Sequence, residues 1–267
     1  MPLFHLLLVA AIQGLTEFLP VSSSAHLILL PSLTGLADQG QAIDVSVHLG
    51  TLGAVLVYFR ADTRLVLSGL PRLLRGDTAH PGARLFLLLF LATVPVMLFG
   101  LILKFSGLDD MLRSVVVIGW TMILFGLLLW WTDQRGGTTL DGSDWSARHA
   151  LVMGLWQMLA LVPGTSRSGI TISAARWLGY ARTDATRLAM LMSIPAIIAS
   201  GAVLMTEVAL DTDLALARDM AIAAVLTFAM ALGALWGMIR LLRVVSFTPY
   251  VIYRVVLGIF LLWVAYR

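Results

Sequence analysis

The pattern of long apolar runs constrains the fold of this chain most strongly. Six stretches of about 20 residues, the length that an α-helix needs to cross a bilayer core, are predominantly apolar. They lie near residues 41–59, 84–105, 112–132, 185–207, 216–240 and 247–266. Only 12% of the residues are charged, whereas soluble domains are about 25% charged. The sequence therefore predicts an all-α integral membrane protein with six transmembrane helices.

Two further apolar stretches are interrupted by polar, proline-containing breaks. Residues 3–35 are broken at residues 19–24, and residues 147–179 are broken at residues 162–169. Each half is short for a span. Irregular backbone at membrane depth is tolerated only where it is buried in protein or lines a wet cavity. We therefore expect two re-entrant helix-loop-helix hairpins.

The two halves of the chain repeat one plan, in which a broken hairpin is followed by three spans. We predict a single membrane domain over residues 1–267, with repeat one at 1–132 and repeat two at 147–267, joined by a cytoplasmic loop at 133–146. A glutamine lies about two turns upstream of each break, at Gln13 and Gln157. Because three spans is an odd number, the second copy enters from the opposite face. Binding sites in such inverted-topology repeats lie where the broken helices meet.

The basic residues divide unequally between the two predicted faces. Four lie on one face, at Lys104, Arg113, Arg218 and Arg267, and twelve lie on the other, at Arg60, Arg64, Arg72, Arg75, Arg84, Arg135, Arg148, Arg176, Arg182, Arg187, Arg240 and Arg243. The positive-inside rule makes the second face cytoplasmic and places both termini outside. The net charge of +3 therefore reflects topology, and no nucleic-acid partner is expected because no basic stripe carries interleaved aromatic residues. The absence of cysteine excludes disulfides and cysteine catalysis.

The first break carries a candidate acid and a candidate metal site. Glu17 follows Gln13 by four residues, which places both side chains on one face of a helix. Two oxygen ligands on one face suit a hard divalent cation such as Mg²⁺ or Ca²⁺. The alternative is a buried glutamate that is hydrogen-bonded to a neighbouring helix.

Hydroxyl residues and a histidine follow Glu17. Ser22, Ser23 and Ser24 precede His26, which at this spacing can exchange protons with a serine or with substrate. The structural alternatives are turn or cap serines and a histidine with purely structural partners. Asp44 and His48, four residues apart at the outer start of a span, can reach the mouth of such a site, and the alternative is a solvated helix end.

The second break predicts an oxyanion cradle. Its glycine permits close backbone approach, its hydroxyls and N–H groups precede a new helix, and its arginine offers a planar fork that matches phosphate. The residues are Gly164, Thr165, Ser166, Arg167 and Ser168. The alternative is a helix cap whose arginine pairs with Glu17. Arg254, inside the last span, is expected to pair with helix carbonyls or to extend to the interface.

At these motifs the chain resembles the undecaprenyl-pyrophosphate phosphatase family, also called bacitracin-resistance proteins. The matching residues are the run QGLTEFLPVSSSAHL at 13–27, PGTSRSG at 163–169 with Thr171 and Ser173, HLGT at 48–51 and MSIPA at 192–196. The resemblance covers essentially the whole chain, and its first two motifs together are highly specific.

The resemblance implies a bacterial inner-membrane enzyme that hydrolyses undecaprenyl pyrophosphate at a site opening to the periplasm and depends on a divalent cation. Gln13 and Glu17 match the family's acidic motif, with the neutral alternative at the first position. Ser23, His26 and Arg167 match its serine, histidine and arginine. We expect Ser23 to attack the terminal phosphate or to position a water, and His26 to relay protons, although the resemblance leaves open which of the two attacks phosphorus.

Two other functions are compatible with parts of the pattern. Paired broken helices also occur in secondary transporters, so a lipid-phosphate transporter or flippase is the alternative. An ion channel is disfavoured because no ring of like charges or carbonyl filter is visible. Gly233 and Gly237 form a GxxxG spacing that permits a homodimer.

Overall fold

A computed structural model describes residues 1–107, 112–208 and 214–267. Within these ranges the chain forms eleven α-helices and two short 3-10 turns. The helices are α1 Leu3–Thr16, α2 Ser23–Thr34, α3 Gln41–Tyr58, α4 Arg60–Leu74, α5 Pro81–Ser106, α6 Val115–Arg135, α7 Ala147–Gln157, α8 Arg167–Leu178, α9 Arg182–Val208, α10 Leu214–Leu241 and α11 Thr248–Tyr266. The 3-10 turns are Gly142–Asp144 and Met158–Leu161.

Six of these helices are long and apolar enough to cross a membrane. They are α3, α5, α6, α9 over Arg182–Ala202, α10 and α11. Each overlaps one of the six predicted spans, which confirms a multi-pass helical membrane protein. The short helices α1 and α2 flank the first break, and α7 and α8 flank the second, as the interruptions in the apolar pattern predict.

Helix α4 is an element that the hydropathy pattern does not indicate. It is amphipathic, and it packs on α5 through glycine. A Cβ atom at Gly69 would lie 2.2 Å from the backbone nitrogen of Ala83, so the two helices approach at bare backbone. Asp62 of α4 pairs with Arg187 of α9. These contacts tie α4 to two of the long helices.

Small residues bring α1 and α7 close to spans of the other half. A Cβ atom at Gly14 of α1 would lie 2.6 Å from the Cβ atom of Met230 on α10. A Cβ atom at Gly154 of α7 would lie 2.4 Å from the carbonyl oxygen of Ala92 on α5. Close packing at small residues is the usual means of helix association in membranes, where burial of apolar surface gives little driving force. It fixes the two helices that lead into the breaks.

A buried ion cluster closes one end of the bundle. Asp133, near the end of α6, accepts hydrogen bonds from Arg176 at 3.1 Å and Arg182 at 2.8 Å. Arg176 also donates to the carbonyls of Gly137 and Tyr180. Buried charges are stable only when paired and hydrogen-bonded. The cluster therefore anchors the C-terminal end of α8 to the end of α6.

Candidate active site

The two breaks share an unusual backbone plan. Ser22 and Ser166 both have φ of 70°, and each immediately precedes a helix. They are the non-glycine residues with positive φ in the described ranges, and such a sparsely populated conformation costs about 1–3 kcal/mol. The helices that follow end at glycines with positive φ, Gly35 and Gly179. The pairs 13 and 157, 22 and 166, and 35 and 179 have one common separation along the chain, so the two segments follow the same plan.

The breaks meet at the carboxylate of Glu17. Its Oε1 pairs with Nη2 of Arg167 from the second break. Its Oε2 accepts hydrogen bonds from Oγ of Ser23 at 2.5 Å and from Nε2 of Gln13 at 2.9 Å. The structure therefore brings four predicted site residues into one network. A purely structural Arg167 would form the same ion pair. Whether Arg167 can bind phosphate therefore depends on what surrounds the pair.

A cavity of about 220 Å³ with polar and apolar walls lies against this network. Both breaks contribute to its wall, and helices α3, α5 and α9 complete it. The lining residues are Glu17, Ser22, Ser23, Ser24, His48, Val96, Gln157, Ala160, Leu161, Ser166, Arg167, Ala196, Ile197 and Ser200. An acid, several hydroxyls and a guanidinium thus face one small space, which is the chemistry that phosphate groups require.

The second break presents its helix end to the cavity. Ser166 caps α8, since its Oγ accepts a hydrogen bond from the N–H of Gly169 at 3.1 Å. Ser168 donates to the carbonyl of Leu19 in the first break at 3.0 Å. Ser166 and Arg167 line the cavity, whereas Gly164, Thr165 and Ser168 do not. The predicted cradle is therefore divided between residues that face the cavity and residues that hold the loop in shape.

Arg254 of α11 connects both breaks to α6. It is fully buried, and its guanidinium donates to the carbonyls of Pro20 in the first break and of Gly164 and Thr165 in the second. It also donates to two carbonyls of α6, those of Met122 and Thr121. Of the two roles expected for Arg254, the structure has the pairing with carbonyls. The side chain holds the two loops in register without reaching the cavity wall.

His26 lies next to the network but outside the cavity wall. Its Nδ1 donates to the carbonyl of Ser22 at 2.7 Å, and its Nε2 bonds the hydroxyl of Tyr253 at 2.6 Å. The two rings are stacked with centroids 5.7 Å apart. Both ring nitrogens are thus engaged, and the imidazole fixes the serine that precedes Ser23.

His48 of α3 is the imidazole that lines the cavity. Its Nδ1 donates to the carbonyl of Asp44 at 2.7 Å, which leaves Nε2 as the free ring nitrogen. In the described part of the chain Nε2 has no hydrogen-bond partner. Asp44 itself accepts from Gln39 at 2.8 Å and does not line the cavity. Of the pair predicted at the mouth of the site, His48 reaches it.

Comparison with known proteins agrees with the motifs. The family model "Bacitracin resistance protein BacA" matches residues 6–260. The chain belongs to the BacA family. Proteins named undecaprenyl-diphosphatase are similar over the full length: those of Dinoroseobacter shibae and a Ruegeria species are 64% and 65% identical, with all of both chains covered. The protein of that name from Chromohalobacter salexigens is 43% identical over 98% of both chains.

The donor set of this BacA family member bears on its predicted cation. Glu17 supplies a carboxylate, and Oε1 of buried Gln13 has no hydrogen-bond partner within the described residues. Those residues contain no group of three His, Cys, Asp or Glu side chains that would hold a metal alone. The donors therefore fit a hard cation that takes its remaining oxygens from substrate phosphates and water, as Mg²⁺ commonly does.

Three residues around the site were not identified as functional from sequence. Tyr253 and Arg254 lie on α11, far along the chain from both breaks, so spacing gives no indication of their contacts. The sequence indicates Gln157 only as the counterpart of Gln13, whereas in the structure it lines the cavity. Its position about two turns upstream of the second break, like that of Gln13 upstream of the first, is the signal in the sequence that could have indicated a place near the site.

Proposed function

We propose that this chain hydrolyses undecaprenyl pyrophosphate to undecaprenyl phosphate and phosphate. The proposal rests on the named activity of its full-length relatives. It rests equally on one contact, in which the Ser23 hydroxyl donates to a Glu17 carboxylate whose other oxygen pairs with Arg167. Such a reaction recycles the lipid carrier of cell-wall synthesis, and removal of the pyrophosphate target of bacitracin confers resistance.

The reaction proceeds by nucleophilic substitution at the terminal phosphorus. Ser23 Oγ transfers its proton to Glu17 and forms a bond to phosphorus, while the bond from phosphorus to the bridging oxygen breaks and releases undecaprenyl phosphate. Water then cleaves the phosphoserine and releases phosphate. In the alternative, Ser23 positions a water that attacks directly. Arg167, Ser166 and the N-terminus of α8 stabilise the charge on the phosphate oxygens, which is the main contribution in phosphoryl transfer.

The proton relay has two candidates. His26 is the residue that the motif implies, and its bond to the Ser22 carbonyl couples it to the nucleophile loop. His48 is favoured by a specific observation, because it lines the cavity and its Nε2 has no partner among the described residues. A relay must lie within hydrogen-bond reach of the atom that it protonates. The proposal assigns the relay to His26 because it matches the family's histidine, and His48 is the alternative that the cavity lining favours.

A divalent cation, Mg²⁺ or Ca²⁺, completes the site in this proposal. When bound it would neutralise charge on the pyrophosphate oxygens. Glu17 and Gln13 would hold it together with substrate oxygens, and this assignment is supported by Oε1 of Gln13, which has no hydrogen-bond partner within the described residues. Arg167 pairs with Oε1 of Glu17, and Gln13 donates to Oε2, so the two neighbours bind different oxygens of one carboxylate.

We also propose that the broken segments are re-entrant hairpins in an inverted-topology repeat, with the domain divided as the sequence predicts. The packing supports this, because α1 contacts α10 of the second half while α7 contacts α5 of the first. The matching serines and glycines at the ends of α2 and α8 support it further. The irregular backbone at the breaks then lies against protein and the cavity, as a bilayer requires.

In the bacterial inner membrane, the face with few arginines is then periplasmic, and in this proposal the cavity opens toward it. The N-terminal ammonium of Met1 pairs with Asp219, near the start of α10, at 2.5 Å. This pairing supports a common face for the N-terminus and the start of that span. A site on this face receives the pyrophosphate lipid that is released outside the cell.

A homodimer is compatible with the exposed face of α10. A Cβ atom at Gly233 or Gly237 would meet nothing within 4 Å in the described chain. The spacing leaves a shallow face for a second helix. Cross-linking at Gly233 in membranes would test this arrangement.

Phosphate release from purified protein in detergent tests the proposed function. Wild type should release phosphate from undecaprenyl pyrophosphate, and Ser23→Ala should abolish the release. Ser46→Ala is the matched control, because Ser46 is a buried serine of α3 whose hydroxyl bonds a carbonyl of its own helix. A lipid-phosphate flippase would move the lipid across liposomes without releasing phosphate, and that result would replace our proposal with the transport alternative.

A further inference from the structure

Among the described residues, the side chain of Gln157 is an amide without a hydrogen-bond partner in the cavity wall. It ends α7, and the residue is fully buried. Neither its Nε2 nor its Oε1 has a hydrogen-bond partner in the part of the chain that the structure describes. A buried amide that lacks hydrogen bonds destabilises a folded protein. The residue nevertheless lines the same cavity as Glu17 and Arg167.

The counterpart in the first half explains why this amide is free. Gln13 uses its Nε2 on Glu17, which follows it by four residues. Leu161 follows Gln157 by the same four residues, and its side chain has no polar atom. Arg167 occupies the position in the second segment that Ser23 occupies in the first. The first segment therefore supplies the acid and the hydroxyl, while the second supplies a guanidinium and an amide whose donors remain available.

The neighbours of Gln157 in the wall indicate which part of a ligand it meets. Ala160, Leu161 and Val96 line the cavity with it and are apolar. A lone amide among apolar groups makes a strong and directional hydrogen bond, because water competes poorly there. Its two N–H donors suit an anionic oxygen, and its carbonyl suits a hydroxyl or a water that accompanies the anion.

We propose that Gln157 is a substrate-positioning residue that binds a phosphate oxygen of the lipid pyrophosphate. The inference rests on the proposed function for the identity of the ligand. Gln157 touches a phosphate that Arg167 and Ser166 also face, and it has no part in proton transfer. It therefore contributes to binding in the ground state and in the transition state alike, which affects KM more than kcat.

The test replaces the amide without changing its size. Gln157→Met should raise KM for undecaprenyl pyrophosphate by about 10- to 100-fold, as expected for loss of a hydrogen bond to a charged group, and leave kcat within a few-fold. Gln157→Glu should be worse in both binding and turnover, because a carboxylate repels the phosphates. The melting temperature of Gln157→Met in detergent should equal or exceed that of wild type, since an unpartnered polar group is removed.

Thr227→Val is the matched control. Thr227 is a fully buried residue of α10 whose hydroxyl also lacks a partner within the described ranges, and it does not line the cavity. Its replacement should leave KM, kcat and the melting temperature unchanged or slightly improved. A wild-type KM in Gln157→Met would overturn the proposal. A clear fall in its melting temperature would overturn it too, because the amide would then have a structural partner.

Binding of a methylene-bridged, non-hydrolysable analogue of undecaprenyl pyrophosphate separates this inference from the proposed function. The Kd of the analogue should rise by the same factor as KM in Gln157→Met, and an unchanged Kd would refute the assignment. If wild type binds the analogue but releases no phosphate from the substrate, the proposed reaction fails while the role of Gln157 in binding is still measured.

Discussion

Replacement of Arg254 tests whether one buried side chain holds the two breaks together. Its guanidinium is the partner of the carbonyls of Pro20, Gly164 and Thr165, and no other donor to them occurs in the described residues. A buried acceptor left without a partner costs about 1–3 kcal/mol. Arg254→Met should therefore destabilise the protein by at least about 3 kcal/mol. The two helix carbonyls add less, because each has its own intrahelical bond.

The same substitution should also lower turnover. The Arg254 side chain packs closely against Gly126 and Gly169, where added Cβ atoms would lie 3.3 Å and 3.0 Å from it. Loss of the guanidinium therefore leaves a void between the two breaks. A displacement of about 1 Å in the loops can cost about 100-fold in rate. Arg254→Lys should be nearly as harmful, since an ammonium carries three donors at one point and cannot span two loops.

Both effects are measurable on purified protein. Chemical unfolding in detergent micelles gives the stability, and phosphate release gives kcat. Arg240→Met is the matched control, because Arg240 lies at the end of α10 and stacks on Trp236 at 5.2 Å. Its replacement should alter neither quantity. Wild-type stability and kcat in Arg254→Met would show that the loops keep their shape without the guanidinium, and the reasoning would be refuted.

Three further predictions concern the cavity. Arg167→Ala should lower kcat by about 100- to 1,000-fold in phosphate release, as for a lost oxyanion donor, and near-normal hydrolysis would remove Arg167 from the mechanism. His26→Ala should lower kcat by about 100-fold or more, whereas activity that survives there and is lost in His48→Ala would move the relay to His48. A chelator should abolish phosphate release and added Mg²⁺ or Ca²⁺ should restore it, whereas full activity in chelator would exclude the cation. Gln13→Glu should reach half-maximal activity at a lower cation concentration, because a second carboxylate strengthens the site.

Sequence reasoning succeeds here where hydropathy and local motifs determine the result. The six spans follow from apolar length, and the two breaks follow from proline and hydroxyl residues inside apolar runs. The sequence predicts that the two breaks meet, because binding sites in inverted repeats lie there, and the pairing of Glu17 with Arg167 is the contact that its structural alternative names. Helix α4 escaped prediction because its apolar face is narrow and its arginines resemble those of a cytoplasmic loop.

The remaining features depend on tertiary contacts that spacing does not reveal. Arg254 could be assigned to carbonyls in general, but which loops supply them depends on how α11 packs against α6. The contact of His26 with Tyr253 joins residues 227 positions apart. Gln157 stands where Gln13 stands in the first half, but its place in the cavity wall is visible only in the structure.

The ion pair between Glu17 and Arg167 has a consequence for biogenesis. The acid and the nucleophile belong to the first half of the chain, while the compensating guanidinium is made much later, after α7. Until α8 docks, a buried carboxylate in the bilayer lacks its counter-charge, a state that is strongly unfavourable. Hydrolytic capacity should thus arise only when insertion of the second half is complete, and a ribosome stalled midway would leave an inert precursor in the membrane.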